Sequence, residues 1–375
     1  MTHQRSLSRR NALATIGAAA GTAAVSGLAS ADGEGKVEVN VGFENGKGKR
    51  AAKRRADEVV REFDFDVMTM RMPEQATDGL ENNPNVRYVE ENGTMHKLAQ
   101  DTPYGIGQTD ATTAIASGFT GAGADVAVID TGIDADHPDL QGNLGKGAYA
   151  VQCSYNCDYG WGDDEGHGTH CAGTVGAIDN DRGVVGVAPG ATLHSVKVLG
   201  SNGGGSYSDI AAGIEYTANQ GWDVGSLSLG GGYSSAVADA CRYAYDNGVL
   251  LVAAAGNSGP CTDCVGYPAA LSECVAVSAV DDGENLANFS STGPEVELAA
   301  PGVGVESTKL GGGTEFLSGT SMACPHVSGV GALLMAEGYT NTEARQRLRN
   351  TADDLGLGSN EQGSGAVDAD GALGI

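Results

Sequence analysis

The chain has 375 residues, of which 41% are hydrophobic, enough for one large domain with a buried core plus a smaller module. The formal net charge is −26, and the whole excess falls on residues 99–375, where 8 basic residues face 34 acidic ones. A nucleic-acid partner is therefore not expected, because such a surface would repel phosphates. The 59 glycines argue against a mostly helical protein.

The acidic surface of residues 99–375 allows two interpretations. It can serve solubility alone, or it can be an adaptation to high salt. Only three lysines follow residue 98, namely Lys146, Lys197 and Lys309, so the acidic side chains far outnumber their possible partners. At about 1 M salt the screening length falls to about 3 Å, and crowded carboxylates become tolerable. We therefore expect activity to be lost at low salt.

The N-terminal segment has the features of an export signal. An arginine pair, Arg9-Arg10, precedes an Ala/Gly-rich run that ends in the cleavage pattern Ala29-Ser30-Ala31. We expect residues 1–31 to be a twin-arginine signal peptide of a secreted, extracellular protein. The run is too weakly apolar for a stable membrane anchor. A chance arginine pair before a disordered start is the alternative.

Residues 32–98 have the pattern of a small α+β module. Apolar alternation predicts strands over residues 37–43, 67–72 and 86–90. Helical periodicity predicts a helix over residues 51–63. The following residues, 91–102, are polar and rich in turn formers, which predicts a processed linker.

Residues 99–375 alternate between short apolar runs and helical patterns. This alternation favours a doubly wound, mostly parallel α/β sheet, whose ligand sites lie at the carboxyl ends of the strands. Buried strands are predicted over residues 126–129, 192–198, 250–254 and 275–280, and helices over residues 208–219, 236–247 and 321–337.

Three motifs carry residue types suited to nucleophilic catalysis. Asp130 ends a strand in VAVIDTGID, His167 lies in GHGTHCAGT, and Ser321 opens a helix in SGTSMACPHVSG. A serine hydroxyl needs a base that takes its proton, and the base needs an acid that fixes its tautomer. Asn257, in AAAGNSG, can donate its side-chain amide to a developing oxyanion beside the Ser321 backbone N–H.

Each of these residues alone is most simply explained as a turn or cap. Their order, Asp before His before Ser, differs from the orders in α/β-hydrolases and chymotrypsin-like enzymes. Together the four motifs resemble the signature blocks of the subtilisin family over about residues 99–368. With the acidic surface and the arginine pair, the chain most resembles the halolysin group, the extracellular subtilases of halophilic archaea.

The resemblance implies a serine endopeptidase with the triad Asp130, His167 and Ser321 and the oxyanion donor Asn257. It implies protein or peptide substrates that pair with a glycine segment as an added strand. It also implies an uncharged pocket that favours large apolar side chains at P1, and we expect a monomer. The implied substrate-binding residues are Gly203, Gly204, Gly205, Ser228, Leu229, Gly230, Ala254, Gly256 and Gly266. Purely structural Gly/Ala turns are the alternative.

Two further parts of the chain resemble features of the same family. Residues 32–98 resemble its propeptide, a small α+β, ferredoxin-like module that folds the enzyme and inhibits it within the chain, with cleavage before Ala99. An independent binding domain is the alternative. Residues 178–184 resemble its structural calcium loop, although a solvated acidic turn is also possible. The implied Ca²⁺ ligands are Gln100, Asp139, Ile178, Asn180, Arg182 and Val184.

Eight cysteines in an exported chain suggest disulfides, whose full connectivity the sequence leaves open. The close pairs Cys153/Cys157 and Cys261/Cys264 are candidate loop staples, with a zinc site as the alternative for the second pair. Cys171 and Cys324, beside the catalytic motifs, are expected to be buried thiols. Competing hypotheses for function are a non-catalytic peptide-binding relative and an esterase that uses the same triad.

Overall fold

The computed structural model describes residues 36–92, 100–155 and 157–375. The chain divides into two units, residues 1–97 and residues 98–375. The expected signal peptide over residues 1–31 lies outside the described residues. The same is true of Ala99, at the expected start of the mature enzyme.

The described part of the first unit is a four-stranded sheet with two helices. The strands lie in the order β2-β3-β1-β4, and every pairing is antiparallel. This βαββαβ arrangement is the ferredoxin-like fold expected from the sequence. The elements in chain order are β1 (Lys36–Phe43), α1 (Gly46–Lys53), β2 (Glu58–Glu62), β3 (Val67–Pro73), α2 (Gln75–Glu81) and β4 (Val86–Glu91).

The predicted helix over residues 51–63 is wrong from residue 54 onward. The helix begins after Asn45, whose side chain accepts the Lys47 backbone N–H at 2.9 Å, and it ends at Lys53. Residues 58–62 instead form the edge strand β2, in which every residue is exposed. Because β2 is held by its ladder with β3 and has no buried face, its charged sequence shows no strand periodicity.

The second unit is built on seven parallel strands flanked by helices, as the sequence predicts. The strand order is β11-β10-β9-β8-β5-β7-β6, and each adjacent pair is parallel. The elements in chain order are α3 (Tyr104–Gln108), α4 (Ala111–Ala116), β5 (Asp125–Asp130), β6 (Leu144–Tyr149), α5 (His167–Gly176), β7 (Thr192–Lys197), α6 (Tyr207–Gln220), β8 (Val224–Leu227), α7 (Ser235–Asp246), β9 (Leu250–Ala254), β10 (Cys274–Val280), β11 (Val296–Pro301), β12 (Val305–Thr308), β13 (Thr314–Leu317), α8 (Thr320–Ala336), α9 (Asn341–Thr351), α10 (Ser359–Gln362) and α11 (Ala369–Leu373).

Strand β5 shows how the sheet is covered on both faces. Val126 and Val128 belong to an apolar cluster that contains residues of α5 and α8, whereas Ala127 and Ile129 belong to a second cluster with residues of α6 and α7. Successive side chains of a strand point to opposite faces. Since helices cover both faces, β5 reads as an uninterrupted apolar run.

Helix α8 lies in the centre of this unit. All residues from Met322 to Leu334 are buried, and the helix contacts β8, β9, β10 and β11. A helix that is apolar on every side belongs in a core. The chain leaves β5 for β6 and β7 on one side and then crosses to β8 on the other. The carboxyl end of β5 is therefore a point where the strand order reverses, which is where such sheets bind ligands.

The cysteine predictions are confirmed. The two loop pairs are disulfide-bonded, Cys153–Cys157 and Cys261–Cys264, so the zinc alternative for the second pair finds no support. Cys171 and Cys324 are free and buried. In the described parts of the chain, no helix has the length and apolar character needed to cross a bilayer.

Two glycines of α3 form a matched pair for testing its packing. A Cβ on Gly105 would clash with Nε2 of the buried His326 ring, whereas nothing lies within 4 Å of a Cβ on Gly107. We expect Gly105→Ala to lower the free energy of unfolding by about 1–3 kcal/mol through overpacking. Gly107→Ala should leave it unchanged or raise it by up to about 1 kcal/mol. Urea unfolding measures both, and equal effects would contradict the close packing of α3 against α8.

Candidate active site

The Asp130 carboxylate and the His167 ring form a hydrogen-bonded pair. Asp130 ends β5 with a fully buried side chain, and its Oδ1 lies 2.8 Å from His167 Nδ1. The Thr131 backbone N–H donates to the same oxygen at 2.7 Å. Because the carboxylate accepts from Nδ1–H, the neutral ring keeps its lone pair on Nε2. The His167 side chain is 26% exposed, so the ring, unlike the carboxylate, is accessible to solvent.

Glycines allow the turn before α5 to pack against the turn after β5. The Gly168 backbone N–H donates to Thr131 Oγ1 at 2.8 Å, and a Cβ on Gly168 would clash with the Gly132 carbonyl oxygen. Gly166, which precedes α5, has a φ of 112°, a conformation that favours glycine. This close approach brings the carboxylate and the ring within hydrogen-bond distance.

A buried lysine connects the same two turns. Lys197 is fully buried and lies opposite Asp130 in the β5–β7 ladder. Its ammonium donates to Asp164 Oδ1 at 2.6 Å, to the Leu199 carbonyl at 2.8 Å and to the Thr131 carbonyl. A buried ion pair is tolerated when its hydrogen bonds are satisfied in this way. This contact was not predicted from the sequence, although a lysine inside a predicted buried strand was an available signal.

Two opposing effects act on the pKa of the His167 ring. Burial lowers it, and the Asp130 carboxylate raises it through charge attraction and the hydrogen bond to Nδ1. Burial is the largest single effect, but the contributions of Asp130 and of the neighbouring Cys171 together outweigh it, so the pKa lies well above its ordinary value of 6.5. Burial raises the pKa of the neighbouring Cys171 thiol, which is therefore uncharged at neutral pH. Asp130 is thus the largest of the contributions that raise the pKa of the ring.

Pro325 shapes the surroundings of Ser321. It lies inside α8 and has no backbone N–H, so the Ser321 carbonyl, four residues earlier, lacks its helical donor. That carbonyl accepts instead from Ser228 Oγ at 2.8 Å and from Cys171 Sγ at 3.4 Å. The Ser321 hydroxyl in turn donates to the Ser228 carbonyl at 3.1 Å. The start of α8 is therefore tied to the segment that follows β8.

Cys171 lies close to both His167 and Ser321. Its Sγ lies 3.9 Å from His167 Nδ1 and 3.4 Å from the Ser321 carbonyl oxygen. The structure thus joins Asp130 and His167 directly and brings the Ser321 main chain to the same thiol. In this arrangement the hydrogen-bond partner of the Ser321 hydroxyl is Ser228 rather than the His167 ring.

Asn257 lies beside the start of α8 with its side-chain amide held in one orientation. Its Oδ1 accepts from the Thr320 backbone N–H at 2.9 Å and from Thr320 Oγ1 at 3.0 Å. The same hydroxyl accepts from the Gly256 backbone N–H at 3.1 Å. The amide nitrogen Nδ2 is left to donate elsewhere. The Ser321 N–H is in the first turn of α8, where backbone N–H groups lack intrahelical partners.

A cavity of about 580 Å³ adjoins His167. Two of the predicted substrate-binding segments line it, Gly203 to Gly205 and Ser228 to Gly230. Ala254, Gly256 and Gly266 do not line it. The backbone of the last two is engaged in internal hydrogen bonds, such as that of the Gly266 N–H to the Ala255 carbonyl at 2.9 Å. Sequence analysis missed several apolar or aromatic members of the lining: Leu199, Tyr207, Ile210, Val237 and Tyr267.

Glu165 also lines this cavity and is the carboxylate in its lining. Its Oε2 accepts the His167 backbone N–H at 2.9 Å, and the residue is exposed. The carboxylate therefore borders the cavity on the side of the ring. The remaining lining residues carry no charged carboxylate or ammonium.

The predicted calcium ligands lie in one small network. Gln100 Nε2 donates to the Ile178 carbonyl at 2.8 Å and to the Val184 carbonyl at 3.2 Å, and its Oε1 accepts the Asn180 N–H at 3.3 Å. Asp139, which is 2% exposed, accepts from Asn180 Nδ2 at 3.3 Å and from the Val184 N–H at 3.2 Å. The sixth predicted ligand, Arg182, joins through its N–H to Asn180 Oδ1 at 3.0 Å.

Comparison with known proteins identifies the family. A family model described as the subtilase family matches residues 121–366. The chain belongs to the subtilase family. Related enzymes include the M-protease of Shouchella clausii (strain KSM-K16), 43% identical over 84% of this chain and 81% of the relative. Subtilisin E of Bacillus subtilis (strain 168) is 42% identical over 83% of this chain and 82% of the relative.

A third relative, the alkaline elastase YaB of Bacillus sp. (strain YaB), is 42% identical over 84% of this chain and 82% of its own length. The family match and these identities make this subtilase a subtilisin-type serine endopeptidase. Asp130, His167, Asn257 and Ser321 all lie within the matched range. The relation to the halolysin group remains an expectation.

The raised pKa of His167 predicts the pH dependence of this subtilase. His167 is the expected general base, and a base works only when neutral, so kcat/KM should rise with pH and reach half of its maximum well above pH 6.5. Asp130→Asn removes the attraction and leaves the effect of burial, so this midpoint should move to lower pH. The rate should fall by about 10⁴ because the amide does not hold the ring tautomer.

The measurement is hydrolysis of a chromogenic peptide anilide from about pH 5 to about pH 11. Asp239→Asn, an exposed carboxylate on α7, is the matched control and should keep the midpoint of the native enzyme. A midpoint that stays in place in Asp130→Asn would contradict the assignment of the pKa shift to Asp130.

Proposed function

We propose that this subtilase hydrolyses peptide bonds by attack of Ser321, with His167 as base and Asp130 as its support. The observation that carries the proposal is the 2.8 Å bond from His167 Nδ1 to a buried carboxylate, which leaves Nε2 as a proton acceptor. A change of the Ser321 rotamer away from Ser228 would turn the hydroxyl to Nε2, and such bonds tighten when substrate binds. His167 then protonates the leaving amine, and water releases the acyl group by the same steps.

The oxyanion of each tetrahedral intermediate would be bound at the start of α8. Its donors are Asn257 Nδ2, which the contacts of Oδ1 with Thr320 leave available, and the Ser321 N–H. Both are fixed before substrate arrives, so they stabilise the developing charge without reorganising. A positioned donor of this kind contributes about 10²–10³ to kcat.

The substrate would lie along the 580 Å³ cavity as an added strand. The segments Gly203 to Gly205 and Ser228 to Gly230 supply backbone groups that would pair with the main chain of the substrate. Such pairing does not depend on the substrate side chains, so specificity should be broad. The expected P1 residues Ser228, Leu229, Gly230, Ala254, Gly256 and Gly266 carry no charge, which supports a preference for large apolar groups at P1. Ala254, Gly256 and Gly266 would belong to the P1 pocket near Asn257. They do not line this cavity.

Maturation by self-cleavage is part of the proposal. The ferredoxin-like fold of residues 36–92 supports the assignment of residues 32–98 as an inhibitory propeptide, and residues 1–31 would direct twin-arginine export. The mature enzyme would be extracellular and monomeric. With the acidic surface, these features favour a relation to the halolysin group.

The triad and the oxyanion donor are tested on the precursor expressed in molar salt. The native chain should shorten itself near Leu98 and digest casein, and Ser321→Ala should do neither. Asn257→Ala should reduce kcat about 10²–10³-fold with little change in KM. Asn247→Ala, at the exposed end of α7, is the matched control and should behave as the native chain. Processing that persists in Ser321→Ala would overturn the role of Ser321.

A structural Ca²⁺ fits the network around Asp139. A carboxylate, two amide side chains and backbone carbonyls are the oxygen donors that this cation prefers. The Gln100 amide nitrogen lies between two carbonyl oxygens, and a half-turn of the amide would present Oε1 there. A Cβ on Gly183 would clash with Asp139 Oδ2, so the loop backbone closes directly over the carboxylate. The ion would neutralise a buried charge and fix this loop.

Chelation tests the calcium site. Removing Ca²⁺ should lower the thermal midpoint of the native protein by roughly 10 °C, because a ligand at 1,000 times its Kd stabilises by about 4 kcal/mol. Asp139→Asn should show a lowered midpoint that chelation no longer changes. Asp179→Asn alters an exposed carboxylate of the same loop outside the predicted ligand set and should respond as the native protein does. A midpoint of the native protein that ignores chelation would count against the site.

The charge of residues 99–375 supports adaptation to high salt. With 34 acidic against 8 basic residues, repulsion rises as screening is withdrawn. We expect dilution from molar to roughly 0.05 M salt to abolish activity and to lower the thermal midpoint. Activity and circular dichroism measured along one dilution series check both. Full activity without added salt would refute the adaptation.

A further inference from the structure

Two buried thiols that the proposed function does not use face each other behind the cavity. Cys241 lies in α7 and Cys274 begins β10, and they are 0% and 1% exposed. Their sulfur atoms are 3.9 Å apart, with the Cys274 S–H donating to the Cys241 sulfur. Both belong to the apolar cluster between the sheet and helices α6 and α7. We propose that they form a third disulfide, Cys241–Cys274, when the chain folds under oxidising conditions.

The two sulfur atoms lie close enough for this bond to form. A disulfide has a sulfur–sulfur distance of about 2.05 Å, so each sulfur has to move by only about 1 Å. Arg345 fixes the start of β10, since its guanidinium donates to the Cys274 carbonyl at 3.0 Å and to the Ser272 carbonyl at 2.7 Å. Its positive charge also acts to lower the pKa of the Cys274 thiol.

The surroundings of the thiols also indicate when the bond forms. The hydrogen bond to Cys241 and burial together hold the pKa of Cys274 well above its ordinary value, so the folded protein offers little thiolate. Oxidation therefore belongs to the stage of folding at which this cluster is still open to solvent. After closure, the apolar cluster shields the bond from reductants.

The oxidant is a low-molecular-weight disulfide. One protein thiolate attacks a sulfur of that disulfide, which breaks its S–S bond, gives a mixed disulfide and releases one thiolate. The second protein thiolate attacks the protein sulfur of the mixed disulfide and releases the other. Two electrons pass to the small disulfide, and the two protons of the protein thiols end on the released thiols.

The third bond would act over a far longer loop than the two others. The cysteines of the loop disulfides are 4 and 3 residues apart, whereas Cys241 and Cys274 are separated by 33. Loop-closure stabilisation grows with the length enclosed. The enclosed chain contains β9 and Asn257, and α7 supplies Val237 to the cavity lining. The bond would thus hold the helix behind the cavity to the strand beside β9.

Peptide mapping tests the bond directly. The full chain is folded with oxidised glutathione, denatured, alkylated with iodoacetamide without reductant and digested. We expect one linked pair of peptides containing Cys241 and Cys274, lighter by two hydrogens than the separate peptides and lost on reduction. Cys171 and Cys324 should be alkylated and serve as internal controls. Full alkylation of Cys241 and Cys274 would overturn the proposal.

Thermal unfolding gives an independent test in the Ser321→Ala background, which removes self-digestion. Cys241→Ala, Cys274→Ala and the double variant should each lower the midpoint by the same amount, roughly 5–15 °C, because each removes the same bond. Folding in the presence of reductant should lower the midpoint of the parent by a similar amount and that of the variants far less. Cys324→Ala loses a buried thiol without a bond and should keep the full response to reductant. Additive losses that reductant does not change would contradict the disulfide.

Discussion

The buried carboxylate of Asp130 is the constraint on which the site depends. A buried charge is costly unless hydrogen bonds and a charged or ionisable partner compensate it. Here the Thr131 N–H and His167 Nδ1 share one oxygen of the carboxylate, and His167 reaches it only when the turns after β5 and before α5 meet. Glycine at 168 permits that meeting, and the Lys197 ammonium joins the two turns through Thr131 and Asp164. The contact between Asp130 and His167 therefore both holds the two turns together and raises the pKa of the His167 ring.

The other half of the site depends on a missing hydrogen bond. Because Pro325 offers no N–H, the Ser321 carbonyl is available to Ser228 and Cys171, and the beginning of α8 is fixed by side chains from two other segments. The rest of α8 is buried on every side, so its position is set by packing against the sheet. Ser321, the candidate nucleophile, therefore lies at the beginning of a core helix, and its contacts there are polar.

Much of the second unit could be predicted because its strands are short apolar runs between well-patterned helices. The predicted strand over residues 250–254 matches β9, and the helix predicted over 208–219 differs from α6 by one residue at each end. Strands such as β6, β8 and β13 were missed, since short or exposed strands carry little pattern. The triad candidates followed from motif and order, but the Ser228 contact and the Lys197 ion pair depend on tertiary packing, which local patterns do not encode.

The place of α8 in the chain bears on how a cell could make such an enzyme safely. Ser321 follows all seven strands of the large sheet in the order of synthesis, while Asp130 ends the first of them. A ribosome-bound intermediate that has completed the sheet strands still lacks the proposed nucleophile and the central helix of its core. The proposed nucleophile and the helix that completes the core are thus synthesised together. A translation product that ends before them is therefore both unstable and unable to hydrolyse other proteins.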